Sequence, residues 1–162
     1  MGEIRAPEVI TSEHELDEFD CGNNTLNEWL KKRALENQDK FSFTRVVCVK
    51  NKVIAYYTLV FGSINRSDMT KKMQRNAPER IPVMILGRLA VDRRWHGQGI
   101  AKHLLKEAML KTLEASTIAA TRCLLVHAID EDADAFYKHF GFIESKVELT
   151  LMLTIEDIKA QI

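Results

Sequence analysis

Hydrophobic and polar positions along the chain fall into runs of two periods. Phe43 to Val49 is rich in β-branched residues, Lys50-Asn51-Lys52 breaks it as a hairpin turn, and Val53 to Phe61 returns as a longer strand. Val83 to Val91 is an apolar run interrupted only by Gly87 and Arg88, which reads as a mostly buried strand. Pro82 lacks an N–H and belongs at its start. Ile100, Leu104, Leu105, Ala108 and Met109 then take up helical spacing. Arg122 to Ala128 predicts a short buried strand. Asp130 to His139 predicts a helix with Ala133, Phe136, Tyr137 and Phe140 inward and Gly141 as its stop. Val147 to Leu153 predicts a last strand before a short tail.

Nearer the N-terminus, Pro7 to Thr11 predicts an edge strand. Leu26, Trp29, Leu30 and Ala34 share one face of a helix that Thr25-x-x-Glu28 opens as a capping box, with Trp29 as a core anchor. Gly62 to Arg80 is polar apart from positions such as Ile64, Met69 and Met73, and leaves room for a short helix. No repeat, linker or low-complexity segment divides the chain. The order strand, helix, hairpin, strand, helix, strand, helix, strand predicts a single α/β (α+β) domain over residues 1–162 with a mixed sheet.

Composition narrows the setting. A chain of 162 residues can bury a real core but is short for two ordinary domains. No apolar run approaches the roughly 18 residues of a membrane span. The N-terminal segment is acidic rather than basic-then-apolar, so no secretory signal is expected. Cys21, Cys48 and Cys123 are odd in number and widely spaced, which predicts neither a metal pair nor a disulfide framework and points to a reducing, cytoplasmic setting. Zero net charge argues against a general nucleic-acid binder. The charge is nevertheless uneven. Residues 66–80 carry Arg66, Lys71, Lys72, Arg75 and Arg80 against Asp68 and Glu79, and Arg88, Arg93 and Arg94 follow. This is either a basic binding surface or a solvated charged face.

The candidate chemistry lies between the central strand and the helix that follows. Arg94-Trp95-His96-Gly97-Gln98-Gly99 is a glycine-rich turn leading into Ile100-Ala101. Strand, glycine turn and helix together hold anions, because glycines let backbone N–H groups approach a phosphate and the helix N-terminus adds its dipole. The Walker sequence Gly-x-x-x-x-Gly-Lys-Ser/Thr is absent, and the dinucleotide fingerprint Gly-x-Gly-x-x-Gly fails at Lys102. An ordinary turn with two glycines is the competing reading.

The pattern Arg-x-x-Gly-x-Gly-x-Ala, after a strand ending Leu89-Ala90-Val91-Asp92, resembles the coenzyme A pyrophosphate loop of the GNAT acetyltransferases. Ala133-x-x-x-Tyr137-x-x-x-Gly141-Phe142 is similar to a second family segment. Phe19-Asp20-Cys21-Gly22-Asn23-x-x-Leu26-Asn27-x-Trp29-Leu30 resembles a narrower branch, as does Ile81-Pro82-Val83-x-x-Leu86-x-Arg88-Leu89-Ala90-Val91-Asp92. This branch is that of the acetyltransferase toxins of type II toxin–antitoxin pairs, which acetylate the amino acid on charged tRNA.

The resemblance implies a GNAT fold: a mixed, mostly antiparallel sheet with splayed central strands, flanked by helices. It implies acetyl-CoA as co-substrate. The pantetheine arm would pair with the backbone of Leu89, Ala90 and Val91, and backbone donors from Arg94, Trp95, His96, Gly97, Gln98, Gly99, Ile100 and Ala101 would hold the pyrophosphate. A backbone N–H near Leu89 to Val91 would stabilise the oxyanion. Tyr137 is implied as the acid that protonates the departing thiolate, a core aromatic being its bland alternative. Many family members carry Asn where Asp130 stands, so Asp130 is a poor cofactor contact.

Many relatives place a Glu on the central strands, but Val83 to Val91 contains no acid. A lysine at about 10.4 needs a base, whereas an α-amine at about 7.7–8.0 is largely free near neutrality and needs only water. His127 and His139 are the other candidates for a base. As partners the resemblance implies charged tRNA and a ribbon-helix-helix antitoxin; the charge pattern makes Lys32, Lys71, Lys72, Arg75 and Arg93 the candidates for tRNA phosphates, a homodimer and a monomer both stay open, and no membrane role is expected. The competing functions are acetylation of a small amine or a protein N-terminus, and a non-catalytic module that binds coenzyme A or a partner.

Overall fold

The structure is a computed structural model that describes residues 2–162. Its strands are β1 (Glu8–Val9), β2 (Phe43–Val49), β3 (Lys52–Asn65), β4 (Arg80–Val91), β5 (Cys123–His127), β6 (Ile143–Glu144) and β7 (Thr150–Thr154). Its α-helices are α1 (Asn24–Lys32), α2 (Ala34–Asn37), α3 (Lys71–Gln74), α4 (Ile100–Ser116), α5 (Glu131–His139) and α6 (Ile155–Gln161). The strands form one sheet in the order β1-β2-β3-β4-β5-β7-β6. β1–β2, β2–β3, β5–β7 and β6–β7 are antiparallel, and β4–β5 is parallel. The expected mixed, mostly antiparallel sheet is therefore present. The β4–β5 pairing takes in only Met84, Ile85 and Leu86, while β4 runs on to Val91.

The described residues pack as two compact units. The first takes in the chain up to Val60 together with Gly87–Ala108; the second is Phe61–Leu86 with Met109–Ile162. In the first unit, alternation along β2 and β3 sorts side chains onto two faces. Val46 and Tyr56 join Phe19, Leu30 and Ala90 in an apolar cluster under α1. Their sequence neighbours Arg45 and Tyr57 lie opposite each other across the strand pair and meet Glu107 of α4. Arg45 donates to both Glu107 oxygens at 3.0 and 3.1 Å, and the Tyr57 hydroxyl donates to one of them. In the second unit the cluster is rich in methionine, with Met69, Met73 and Met152 against Ile81, Val83 and Leu125.

Several expectations shift. The capping box at Thr25 is not formed: α1 is capped by Asn23, whose side chain accepts from Leu26 N at 3.1 Å, and Glu28 pairs with Lys32 instead. Asn27, one turn in, is buried and bonded on both sides, which starts the helix two residues early. Trp29 is only partly buried. β1 is shorter than Pro7–Thr11. β3 runs past Phe61 to Asn65, β4 begins at Arg80, and Pro82 sits inside β4 with its carbonyl accepting from Arg122 N at 2.8 Å. The last strand begins at Thr150, not Val147, because Leu149 takes φ +56° and Thr150 N closes a turn on Val147 O. The short tail is helical, capped by Thr154 through Asp157 N at 3.1 Å.

Candidate active site

In the first unit, β4 ends where Asp92 turns inward. Its carboxylate is 1% exposed and accepts four hydrogen bonds: from Arg94 N at 2.9 Å, Arg94 Nε at 3.0 Å, Arg94 Nη2 at 3.0 Å and Asp20 N at 3.1 Å. Burial pushes the Asp92 carboxyl up, but the Arg94 guanidinium and the backbone N–H groups of Arg94 and Asp20 outweigh it and hold the group below its usual range. Asp92 N donates to Ile54 O at 2.8 Å, and Arg93 N donates to Asp20 O at 2.9 Å. Asp20 in turn accepts from Gly22 N and Asn27 Nδ2, both at 2.9 Å, while the Asn27 carbonyl accepts from Cys21 N. The segment Phe19 to Asn27 is thus a polar bracket that fixes the turn after β4. Sequence reasoning missed this role. The spacing of the segment is visible, but nothing local says that Asp20 and Asp92 meet across 72 positions.

The turn itself divides its donors. Arg94 N, Trp95 N and His96 N are spent within it, on Asp92 Oδ1, Asp92 O and Arg93 O. The His96 ring donates from Nε2 to Val91 O at 2.6 Å. Of the stretch expected to bind an anion, Arg94 to Ala101, the backbone N–H groups outside these three bonds are those of Gly97, Gln98, Gly99, Ile100 and Ala101. They precede or open α4, where N–H groups have no intrahelical acceptor. Gly97 and Gly99 both take φ +79°, and a Cβ at either would meet nothing within 4 Å. They are glycines for backbone conformation rather than for space, and the backbone around them is open to an approaching group. Beside the turn lies a cleft of about 940 Å³ lined among others by Phe19, Lys52, Ile54, Arg94, Trp95 and Gln98. Leu89, Ala90 and Val91 form the last three residues of β4.

On the α1 face of the same unit, Trp29 stacks on Tyr56 with ring centroids 6.1 Å apart and planes at 11°. The Arg88 guanidinium lies over the indole, 3.7 Å from its centroid. The Tyr56 hydroxyl is fixed on Leu26 O at 2.7 Å.

In the second unit, α5 presents Tyr137 into an apolar setting. It packs edge-on to Phe136 at 5.3 Å and tilted against Phe142 at 5.4 Å. Burial raises the Tyr137 phenol well above its ordinary value, so the hydroxyl keeps its proton across the physiological range. Asp130 caps α5, accepting from Ala133 N at 2.8 Å, so its carboxylate already has an occupant. His127 Nδ1 lies 2.9 Å from Thr150 Oγ1, and His139 is exposed at the end of α5 against Phe140. Gly141 takes φ +94° and ends the helix as expected.

Of the basic residues expected at a tRNA, Lys71, Lys72 and Arg75 stand exposed on and just after α3 in the second unit. Lys72 and Arg75 line a pocket of about 280 Å³ that Arg122 also borders. Lys32 and Arg93 belong to the first unit and each already has an acid, Glu28 at 2.7 Å and Asp20 at 3.0 Å. Among the described residues the three cysteines are free, and no helix is long and apolar enough to cross a membrane.

Comparison with known proteins follows the same lines. A model of the acetyltransferase (GNAT) domain matches residues 42–144. The tRNA-acetylating toxin of Mycobacterium tuberculosis is 37% identical over 164 aligned positions, which cover 100% of this chain and 99% of the toxin. Among solved structures, AtaT complexed with acetyl-methionyl-tRNAfMet is similar at TM-score 0.91 and 31% identity, over 98% of this chain and 99% of that one. AtaTR bound with AcCoA is similar at TM-score 0.86 and 31% identity, over 98% and 97%.

Proposed function

Because the chain belongs to the GNAT acetyltransferase family, we propose that it transfers the acetyl group of acetyl-CoA to the α-amino group of aminoacyl-tRNA, and so blocks translation as the toxin of a toxin–antitoxin pair. The observation that carries this reading is the turn after β4. Asp92 and its partners fix it, and it offers the N–H groups of Gly97 to Ala101 at the start of a 17-residue helix. Those donors suit the pyrophosphate of acetyl-CoA. The backbone of Leu89, Ala90 and Val91 receives the pantetheine arm and polarises the thioester carbonyl.

The amine attacks that carbonyl, the C–S bond breaks, and Tyr137 protonates the leaving thiolate. β4 supplies no carboxylate, and none is needed: the α-amine of an aminoacyl ester lies at or below about 7.7–8.0 and is free near neutral pH. Water takes its proton. His127 and His139 then have no part in the transfer. Lys71, Lys72 and Arg75 engage tRNA phosphates, and Lys32 and Arg93 join them by exchanging their acids for phosphate.

Both units belong to one acetyltransferase domain in this reading; the matched stretch 42–144 runs through residues of each. The protein acts in the cytoplasm, where tRNA is charged. It is silenced by an antitoxin of ribbon-helix-helix type and associates as a homodimer. The test is transfer of labelled acetyl groups to charged tRNA, with uncharged tRNA as control. Acetylated charged tRNA is the expected product. Modification of a free polyamine or peptide amine with charged tRNA untouched overturns the reading.

A further inference from the structure

Among the described residues Arg88 is the one arginine of the first unit without an acid. Arg5, Arg33, Arg45, Arg93 and Arg94 pair with Glu8, Glu36, Glu107, Asp20 and Asp92. Among the described residues Arg88 has neither a hydrogen bond nor an ion pair; its neighbours are the Trp29 ring and the buried Tyr56. It is half-buried, and a guanidinium does not shed its charge. A desolvated cation without a counter-charge is costly unless a partner arrives.

Its orientation is set in advance. Arg88 lies over the Trp29 ring, Trp29 stacks on Tyr56, and Tyr56 is locked to α1 through Leu26 O. A guanidinium over an indole face spends no N–H donor on a hydrogen bond there, so its fork stays available to an acceptor. That fork fits a planar pair of anionic oxygens. Alternation along β4 places Arg88 on the face of Ala90, within the α1 cluster, immediately before Leu89.

We infer that Arg88, held over Trp29, binds a backbone phosphate in the single-stranded acceptor end of the charged tRNA. The inference rests on the proposed substrate, and that substrate's chemistry selects the anion. In an aminoacyl ester the amino acid's α-carboxyl is esterified, so the charged tRNA offers its phosphodiesters, while the acetyl-CoA pyrophosphate has its own donors at Gly97 to Ala101 in that reading. A contact of this kind sets where the aminoacyl end lies along β4, and Arg88 is a substrate-binding residue rather than part of the chemical step.

The test compares Arg88→Gln and Arg88→Lys with the parent protein, on charged tRNA and on 3′-aminoacyl-adenosine, which carries no phosphate. Arg88→Gln should raise KM for charged tRNA roughly tenfold to a hundredfold with kcat little changed, the scale of a lost charge-assisted contact. It should also reduce the slope of log KM against log salt by about 0.7, one single-strand phosphate. Arg88→Lys should keep the slope and recover part of KM. Activity on aminoacyl-adenosine and acetyl-CoA affinity by calorimetry should stay at parental values, the latter showing that the variants are folded. An unchanged salt slope, or an equal loss on both substrates, overturns the inference and leaves Arg88 a structural clasp. A parent protein that acetylates neither substrate overturns the function itself, which is a separate result.

Discussion

The two units fix their functional groups by opposite means. In the first, the turn after β4 is held by a charged hub: Asp92 accepts four hydrogen bonds, and Asp20 and Asn27 extend the network into the N-terminal segment. In the second, Tyr137 is held by ring contacts with Phe136 and Phe142 and by burial alone. The difference agrees with what each presents in the proposed function. Backbone N–H groups aimed at an anion need a frame that fixes main-chain dihedrals, and hydrogen bonds do that directionally. A phenol proposed to give up a proton is better left with its hydroxyl uncommitted, and packing fixes a ring without engaging its oxygen.

The sharpest way to break this contrast is Tyr137→Phe. The ring contacts survive, so stability should stay within about 0.5 kcal/mol. Turnover should fall on the order of 10²–10⁴-fold, as for a lost general acid, with acetyl-CoA affinity nearly unchanged. Near-parental turnover returns Tyr137 to the core. Burial keeps the phenol protonated, so the parent rate should rise with the α-amine's deprotonation and then hold level to at least pH 9.

Gly99→Glu attacks the other side. A side chain at φ +79° is strained, and the carboxylate adds a negative charge at the proposed pyrophosphate site. Acetyl-CoA binding by calorimetry should weaken by at least roughly a hundredfold. Unchanged binding rejects the turn as the cofactor's anchor.

Asp92→Asn tests the frame. The exposed arm of Arg94 limits the loss, so a cost of about 2 kcal/mol is expected. That corresponds to roughly 4–8 °C in Tm for a chain of this size. The pH dependence has a definite sign. Asp92 is held below its usual range in the folded protein, so its contribution is present above the unfolded value near 3.9 and is lost as pH falls through the folded value. Melting curves of parent and variant should therefore converge below about pH 4. A gap that persists in acid assigns the loss to packing. The smallest effect belongs to Lys71→Glu, Lys72→Glu and Arg75→Glu together. KM for charged tRNA should rise about tenfold at low salt, with a flatter salt slope and intact acetyl-CoA binding. No change in KM moves the tRNA surface elsewhere.

What the sequence disclosed tracks how local each interaction is. β2 spans the predicted Phe43–Val49, and α4 begins at Ile100, because period and glycine punctuation are carried by neighbouring residues. The cap of α1 is not decided locally, since Asn23 and Thr25 are both good caps, and the choice is made by Asn27 bonding to Asp20 and Cys21. α6 escaped notice because seven residues with two buried-side isoleucines carry too little periodicity. At the candidate site, the two glycines were legible, whereas the hub at Asp92 and the Arg88–Trp29 stack were not. Each joins residues far apart in the chain, and neither Asp92 nor Arg88 differs locally from an ordinary charged residue beside an apolar strand.

The chain has two tryptophans, and the first unit places them at separate stations: Trp95 in the turn after β4, and Trp29 beneath Arg88. An indole's emission responds to charge and solvent at its ring. The protein therefore carries two intrinsic fluorescent reporters, one beside the proposed pyrophosphate donors and one beside the proposed acceptor anchor. With Trp95→Phe, the remaining signal reads the acceptor side alone; with Trp29→Phe, it reads the donor side. The order in which the two substrates load becomes observable by stopped-flow mixing, without a label on either ligand.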